Sequence, residues 1–355
     1  GEPFSVPSMV RFGSWVGGDM DGNPNVNAKT IRSTLARQRS LILDLYFREC
    51  AAISAKLSQS TDRVAIDKRI LDKIEHYRRM FQPAYHAVPA RHREMPYRVY
   101  LRLVQARLQA TYDDDAYPYE SAKQLIEDVR ILADSLADNN GENAGLFTVR
   151  RLQRRIDTFG FHFLTLDVRQ DALVLRQVVG ELLGENDWLE WNPNDRLARV
   201  VEAIESRDSL PDHQSVVARK TLAVFQAIAF CRRKYGKQSI GPFIVSMTQG
   251  ADDVLSVLLL ANWSELHNRR NQVPLDIAPL LETVDDLQHG NAILEDMLDN
   301  DLYRAHLSQR EDRQTIMIGY SDSNKDSGLA SARWALQNAQ VELVEVLSKR
   351  NIELH

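Results

Sequence analysis

The chain has 355 residues, 44% hydrophobic and 26% charged, enough for one large or two ordinary domains with a buried core, and far from disordered or fibrous compositions. Its formal charge of −5 supplies no basic footprint for neutralising phosphates, which argues against nucleic acid as a partner. Cys50 and Cys231 are the only cysteines and form no CxxC pair, so disulfide frameworks and thiolate zinc sites are poorly supported and a reducing cytoplasm fits best.

Residues 1–7 have neither the basic start nor the apolar run of a secretory signal. The first residue is Gly1, not an initiator Met, and the expectation is a fragment. Residues 9–16 are mixed apolar and aromatic and break at Gly17, Gly18, Gly22 and Pro24, a short strand entering a loop. From 27 to about 57, Ile31, Leu35, Leu41, Leu45 and Ala52 recur at helical intervals, which predicts a long helix. Helical patterns continue to about Arg155, with Ala122, Leu125, Val129, Leu132 and Leu136 on one face and Pro83, Pro89 and Pro96 marking turns. Residues 161–168 then read as a buried strand closed by Arg169, Gln170 and Asp171. Further short apolar runs occupy 243–247, 275–281, 315–320 and 352–354. Their middles are 33, 40 and 35 residues apart, the spacing of parallel strands with helical crossovers. The last helix carries the stripe Leu329, Ala332, Leu336, Ala339, Leu343 and Leu347, with Lys349 and Arg350 at the end where the dipole favours cations. The longest apolar stretch, 254–263, is about half of the ~20 residues a membrane span needs.

Placed on this map, Asp19 and Asp21 follow the first strand, Arg169 the second, Glu282 the fourth and Asp322 the fifth. If the strands form a barrel, such positions gather on one rim. Two carboxylates from neighbouring strands suit magnesium or manganese, which completes its octahedron with water and substrate oxygens. An arginine beside them can clamp a phosphate through two parallel hydrogen bonds. Together they describe a site for a small phosphorylated acid. Plainer roles stand beside this one. Glu282, with Thr283, Asp285 and Asp286, suits the start of the following helix. Asp322 in SDSNKDSG suits turn and cap chemistry, and Arg169 has Asp167 and Asp171 as alternative partners. His162 reads as a core histidine, and residues 113–115 as a solvated acidic loop. Neither GxGxxG nor GxxxxGK[ST] occurs, which lowers a doubly wound nucleotide-binding reading without deciding between an open sheet and a barrel.

The segment FGSWVGGDMDGNPNV (12–26) resembles the phosphoenolpyruvate carboxylase motif usually written GSWMGGDRDGNPNV. FGFHFLTLDVRQDA (159–172) resembles the family's LDIRQ strand, PLLETVDDL (279–287) its LFETLDDL, and TIMIGYSDSNKDSG (315–328) its MIGYSDSAKDAG. PYRVYLRLVQARL (96–108) and FIVSMTQGADDVLSV (243–257) are weaker matches in the same order. The chain is thus identified as similar to a bacterial-type member over essentially its whole length.

The resemblance implies a predominantly helical α/β enzyme, part of a (β/α)8 TIM-type barrel of the phosphoenolpyruvate/pyruvate class with large helical insertions. Residues 1–355 would form one partial catalytic domain: 1–26 the first barrel strand and GGDMDGNP loop, 27–159 a helical insertion, 160–355 barrel strands and helices. Carried over by motif, Glu282 and Asp322 hold Mg2+ or Mn2+, Arg169 binds the substrate phosphate as a catalytic residue, and Lys325, also catalytic, helps to hold bicarbonate or to order the site. Asp19, Asp21 and Asn23 frame the pocket. The reaction implied is carboxylation of phosphoenolpyruvate with bicarbonate to oxaloacetate and phosphate, replenishing four-carbon acids of the tricarboxylic acid cycle. It proceeds through carboxyphosphate and the enolate of pyruvate, in an allosteric cytoplasmic homotetramer. Alternatives are another metal-dependent lyase or phosphotransferase on the same kind of barrel, and a non-catalytic relative. Three departures matter. Met20 stands where the motif has Arg, RQDALVLRQ replaces the polar RQDSTRH, and the TAHPTE and HGRGG segments are missing. His355 is not the histidine of the second. The expectation is therefore an internal fragment, inactive alone.

Overall fold

The computed structural model describes residues 9–268, 270 and 272–355. They fall into two compact units, one built from residues up to Phe12 with Leu35–Thr165, the other from Gly13–Thr34 with Leu166–His355.

The first unit is helical. It contains most of α1 (Ala28–Lys56), then α2 (Lys68–Met80), α3 (Gln82–His86), α4 (Pro96–Asp113), α5 (Ala122–Asp138) and α6 (Leu146–Phe159). Pro83 and Pro96 lie in the first turns of α3 and α4, where a missing N–H leaves no helical bond unmade. The stripe of α5 is as the sequence predicts, with Leu125, Val129, Leu132 and Leu136 all buried. That of α1 is shifted. Ile31 and Leu35 are buried as expected, but Leu41 and Ala52 are exposed, and burial continues along Gln38, Ile42, Tyr46, Cys50 and Ile53, with Leu43 beside Ile42 and Leu57 just past the helix end. Leu43 apart, these follow the steps of three and four that a 3.6-residue turn imposes. One polar centre is built into this core: Asp128, fully buried, accepts from Lys73 Nζ at 2.8 Å and from the Tyr77 and Tyr119 hydroxyls at 2.6 Å each. His162 is buried in this unit, as a core histidine should be, and burial depresses its pKa.

The second unit is α/β. Its elements are β1 (Gly13–Ser14), β2 (Thr165–Asp171), α7 (Ala172–Leu183), α8 (Pro193–Ser206), α9 (Val216–Tyr235), β3 (Ile240–Ser246), α10 (Ala251–Trp263), β4 (Ile277–Leu281), α11 (Val284–Asp299), α12 (Asp301–Ser308), β5 (Arg313–Gln314), β6 (Met317–Ile318), α13 (Tyr320–Ser327), α14 (Leu329–Lys349) and β7 (Glu353–Leu354). The five-stranded sheet has the order β1-β2-β3-β4-β6, and β5 pairs with β7 separately. The pairings β2–β3, β3–β4, β4–β6 and β5–β7 are all parallel. Sequential parallel strands with helices between them put every loop that follows a strand on one edge. Helix α10 is buried on every side from Ala251 to Ala261, so the longest apolar run is a core helix. Among the described residues no helix is long and apolar enough to cross a membrane.

β3 starts three residues earlier than expected and β4 two later, and three further strands depart from the sequence expectation in ways that shape the site. The first strand is only Gly13–Ser14, continued by an isolated bridge between Asp19 and Arg169. Gly17 adopts a φ of +89°, and a Cβ on Gly18 would fall 2.1 Å from the Asp167 carbonyl oxygen. The GG pair therefore ends the pleat while letting the loop lie against β2. The second strand begins later, at Thr165, and includes Arg169, Gln170 and Asp171, because residues 161–164 turn, with Phe163 at φ 70°. The run 315–320 is broken: β5 and β6 flank residues 315–316, and Tyr320 already opens α13.

Candidate functional site

The sheet brings four of the expected residues to one place. Arg169, near the end of β2, donates from Nε to Asp19 Oδ1 and from Nη2 to Asp19 Oδ2, both at 2.7 Å. This two-pronged bond supports the positive charge of Arg169. Its third nitrogen, Nη1, lies 3.8 Å from both Asp21 Oδ2 and Glu282 Oε1, too far for a hydrogen bond. The guanidinium also lies over the Trp15 ring, 4.9 Å from its centroid. Neither alternative partner of Arg169 is used: Asp171 caps α7 by accepting from the Leu173 N–H at 2.6 Å, and burial pushes the Asp167 carboxyl up to about 6, a Trp15 hydrogen bond opposing it.

Glu282 follows β4 directly and is buried. The capping role considered for it belongs to its neighbours, since Thr283 and Asp286 form the capping box of α11. Asp286 Oδ2 also accepts from the Glu282 N–H at 3.2 Å, which leaves the Glu282 side chain free to face the sheet edge. Its Oε2 accepts from the Met247 N–H at 3.1 Å. Burial raises its pKa, the Met247 bond and Arg169 lower it, and the charges of Asp322 and Asp21 raise it again. Asp322, in the first turn of α13, is thus close enough to be felt. It accepts from Lys325 Nζ at 3.1 Å, the first cause that keeps its carboxyl below the usual range, and Arg169 contributes. Lys325 is exposed, paired to Asp322 and not buried in a pocket.

Asn23 is not brought to this cluster. Its side-chain oxygen accepts from the Asn25 N–H at 3.1 Å and its own N–H bonds Met20 O, turn chemistry within the loop. The sequence reading missed Trp15 and the N–H of Met247. Nothing in SMTQG signals the second, because Met247 follows the end of β3 and its left-handed φ of 53° is visible only in the fold.

Hard oxygen donors from Glu282 and Asp322 fit magnesium or manganese. The charge of Asp322 is one of the causes that raise the Glu282 pKa, and a cation between the two would relieve that repulsion. Among the described residues no group of three or more His, Cys, Asp or Glu is arranged to hold a metal, so these two carboxylates would need water and substrate to complete a shell.

The family model described as phosphoenolpyruvate carboxylase matches residues 2–355. The chain belongs to the phosphoenolpyruvate carboxylase family. A curated phosphoenolpyruvate carboxylase of Xanthomonas oryzae pv. oryzae is 43% identical over 350 residues, covering 99% of this chain and 39% of the relative. One from Xanthomonas campestris pv. campestris is 42% identical over 354 residues, 100% of this chain and 39% of the relative. A third, from Bradyrhizobium diazoefficiens, is 33% identical over 367 residues, 98% and 38%. The chain spans about two fifths of the length of these relatives.

Two departures from the phosphoenolpyruvate carboxylase motifs meet in space. Met20, in place of the motif's Arg, and Leu173 and Val174, in place of the polar STRH stretch, line one groove of about 970 Å³ with Asp21, Asn23 and Val217. Both changes exchange polar groups for apolar ones, so the groove beside the Asp21 loop has become largely apolar.

Proposed function

We propose that the complete protein carboxylates phosphoenolpyruvate with bicarbonate to give oxaloacetate and phosphate, and that this chain carries the metal-holding part of its active site. The observation that carries the reading is the state of Arg169. Asp19 occupies Nε and Nη2, which fixes the plane of the fork, while Nη1 makes no hydrogen bond among the described residues and lies 3.8 Å from Asp21 and from Glu282. A phosphoryl oxygen arriving there meets an oriented, unspent donor. In this reading Glu282 and Asp322 hold Mg2+ or Mn2+, which supplies Lewis-acid stabilisation of the enolate oxygen. Lys325 screens Asp322 and reaches toward bicarbonate. Asp19, Asp21 and Asn23 shape the loop that borders the pocket, Asn23 by holding its turn. Burial around Glu282 limits the water that would protonate an enolate.

The remaining expectations belong to the same proposal. The parallel strands form part of an eight-stranded barrel, with residues 27–159 as a helical insertion and 160–355 as barrel wall. Cytoplasmic location, allosteric control and a homotetramer are carried over from the family resemblance alone. The reaction transfers one bicarbonate oxygen to phosphorus. Assay of the complete protein with oxygen-18 bicarbonate should therefore give labelled phosphate together with oxaloacetate. Unlabelled phosphate, or oxaloacetate formation indifferent to bicarbonate, would overturn the proposal.

A further inference from the structure

The corner after β3 carries a chain of contacts that ends on Glu282. Met247 is exposed, lacks the freedom of glycine, and holds a φ of 53°, a conformation that is unfavourable for a side chain with a Cβ and persists only when its surroundings impose it. Two residues on, Gln249 is held from both its groups. Its N–H donates to Asp253 Oδ2 at 2.9 Å, and its Oε1 accepts from Arg176 Nη1 at 3.0 Å. Arg176 in turn grips Asp253 with Nε to Oδ1 at 2.6 Å and Nη2 to Oδ2 at 2.7 Å. Asp253 is fully buried. Between Met247 and Gln249, Thr248 is buried and its hydroxyl donates back to Val245 O at 2.8 Å.

An ion pair serving stability alone would be complete with the two bonds between Arg176 and Asp253. Here each partner extends one further bond, and both end on Gln249. The effect is to clamp the turn in which Met247 takes its left-handed conformation, and that conformation presents the Met247 N–H to Glu282 Oε2 at 3.1 Å. Arg176 is also the first cation after Arg169, in the stretch where the family's STRH is replaced by apolar residues.

We propose that Arg176, acting through Asp253, Gln249 and the Met247 N–H, is a positioning residue for the Glu282 carboxylate. The inference rests on the reading of Glu282 as a metal ligand. The clamp selects one orientation of the carboxylate: Oε2 is held on the N–H and Oε1 is left on the Arg169 side. Loosening the clamp frees the carboxylate to rotate without changing its charge, so metal affinity falls while the fold survives.

The test uses Mn2+ binding to the complete protein, followed by electron paramagnetic resonance of free Mn2+, alongside thermal melting. Gln249→Ala is the mild variant, because Gln249 is exposed and its loss leaves the Arg176–Asp253 pair intact. Arg176→Lys keeps the charge and gives up the fork. Outer-shell changes at metal sites lower affinity by about 10-fold to 100-fold. We expect Arg176→Lys at the lower end of that range and Gln249→Ala a smaller loss in the same direction, with the melting temperature of Gln249→Ala unchanged. Glu282→Gln is the control for the underlying reading. If it binds Mn2+ as the parent does, that reading fails. If it loses Mn2+ while Gln249→Ala and Arg176→Lys bind normally, the reading stands and the positioning role is overturned. If Arg176→Lys fails to fold, Gln249→Ala alone decides.

Discussion

Gly319 offers a steric test of the site. It links β6 to α13, its N–H donates to Leu281 O at 2.7 Å, and a Cβ built on it would lie 2.9 Å from Glu282 Cα, 3.2 Å from Glu282 Cγ and 3.3 Å from Leu281 O. Carbon atoms rest at about 3.5–4.0 Å, so Gly319→Ala must move the Glu282 main chain by roughly 0.6–1 Å. The φ of Gly319 is −79°, which alanine adopts freely, so the whole effect is contact. Overpacking of this kind costs about 1–3 kcal/mol, offset by about 0.4–1 kcal/mol from the stiffer unfolded chain. The net cost is thus at most about 2.6 kcal/mol, and at roughly 2–4 °C per kcal/mol the melting temperature should fall by no more than about 10 °C. A displacement near 1 Å at a positioned group costs on the order of 100-fold in rate, so turnover should drop far more than stability does. Scanning fluorimetry and a coupled oxaloacetate assay on the complete protein read the two effects. Parental stability together with parental turnover would refute the packing argument. Lower stability with parental turnover would show that the contact exists but that Glu282 does no chemistry.

Other outcomes follow from single contacts. Arg169→Lys keeps the charge but has one nitrogen where Asp19 now binds two, so the phosphoenolpyruvate KM should rise with the melting temperature within a few degrees; early unfolding with a normal KM would leave Arg169 a strand brace. Lys325→Met removes only an exposed pair with Asp322, worth at most about 1 kcal/mol, so turnover should fall with stability nearly unchanged, and unchanged turnover would remove Lys325 from the site. Asp167 gives a pH signature. Burial raises its carboxyl to about 6, and an acid raised on folding contributes stability below its unfolded pKa of about 4 that is lost as pH rises through 6. Asp167→Asn should therefore gain on the parent between pH 4 and 7.5, by about 1–2 kcal/mol after allowance for partial exposure. Urea midpoints at the two pH values measure it, and a pH-independent difference would contradict the assignment.

The sequence made the helices legible because burial leaves a period. The stripe of α5 and that of α14 from Ala332 onward can be read directly, although Leu329 at the start of α14 is exposed, and α1 is mistaken in phase beyond Leu35, where Leu41 and Ile42 are adjacent apolar residues and only packing selects the second. Strand boundaries were less legible. Nothing in FGFHFLTLDVRQDA announces that Phe163 turns at φ 70° or that the polar RQD continues the strand, since pairing with β3 holds it there. SDSNKDSG reads as turn residues, yet it forms α13, closed by Gly328 at φ 78°. The site acids were visible as residues that follow strands, whereas their partners were not. Arg169 chose Asp19, 150 positions away, over Asp167 and Asp171 beside it. Asp167 and Asp171 share a strand face with Arg169, but Trp15 bonds the first and the cap of α7 takes the second, and only the sheet order supplies the alternative. The Met247 N–H was invisible for a simpler reason, being a main-chain group whose direction is set by a dihedral angle.

The central claim, that Glu282 and Asp322 together hold the metal required for carboxylation, is tested most directly by steady-state oxaloacetate formation in the complete protein with Mg2+ or Mn2+. The parent should turn over only with metal and bicarbonate present, and Glu282→Ala and Asp322→Ala should each abolish turnover while melting as cooperatively as the parent. Full activity in either variant, or in the parent with chelator and no metal, would contradict the account.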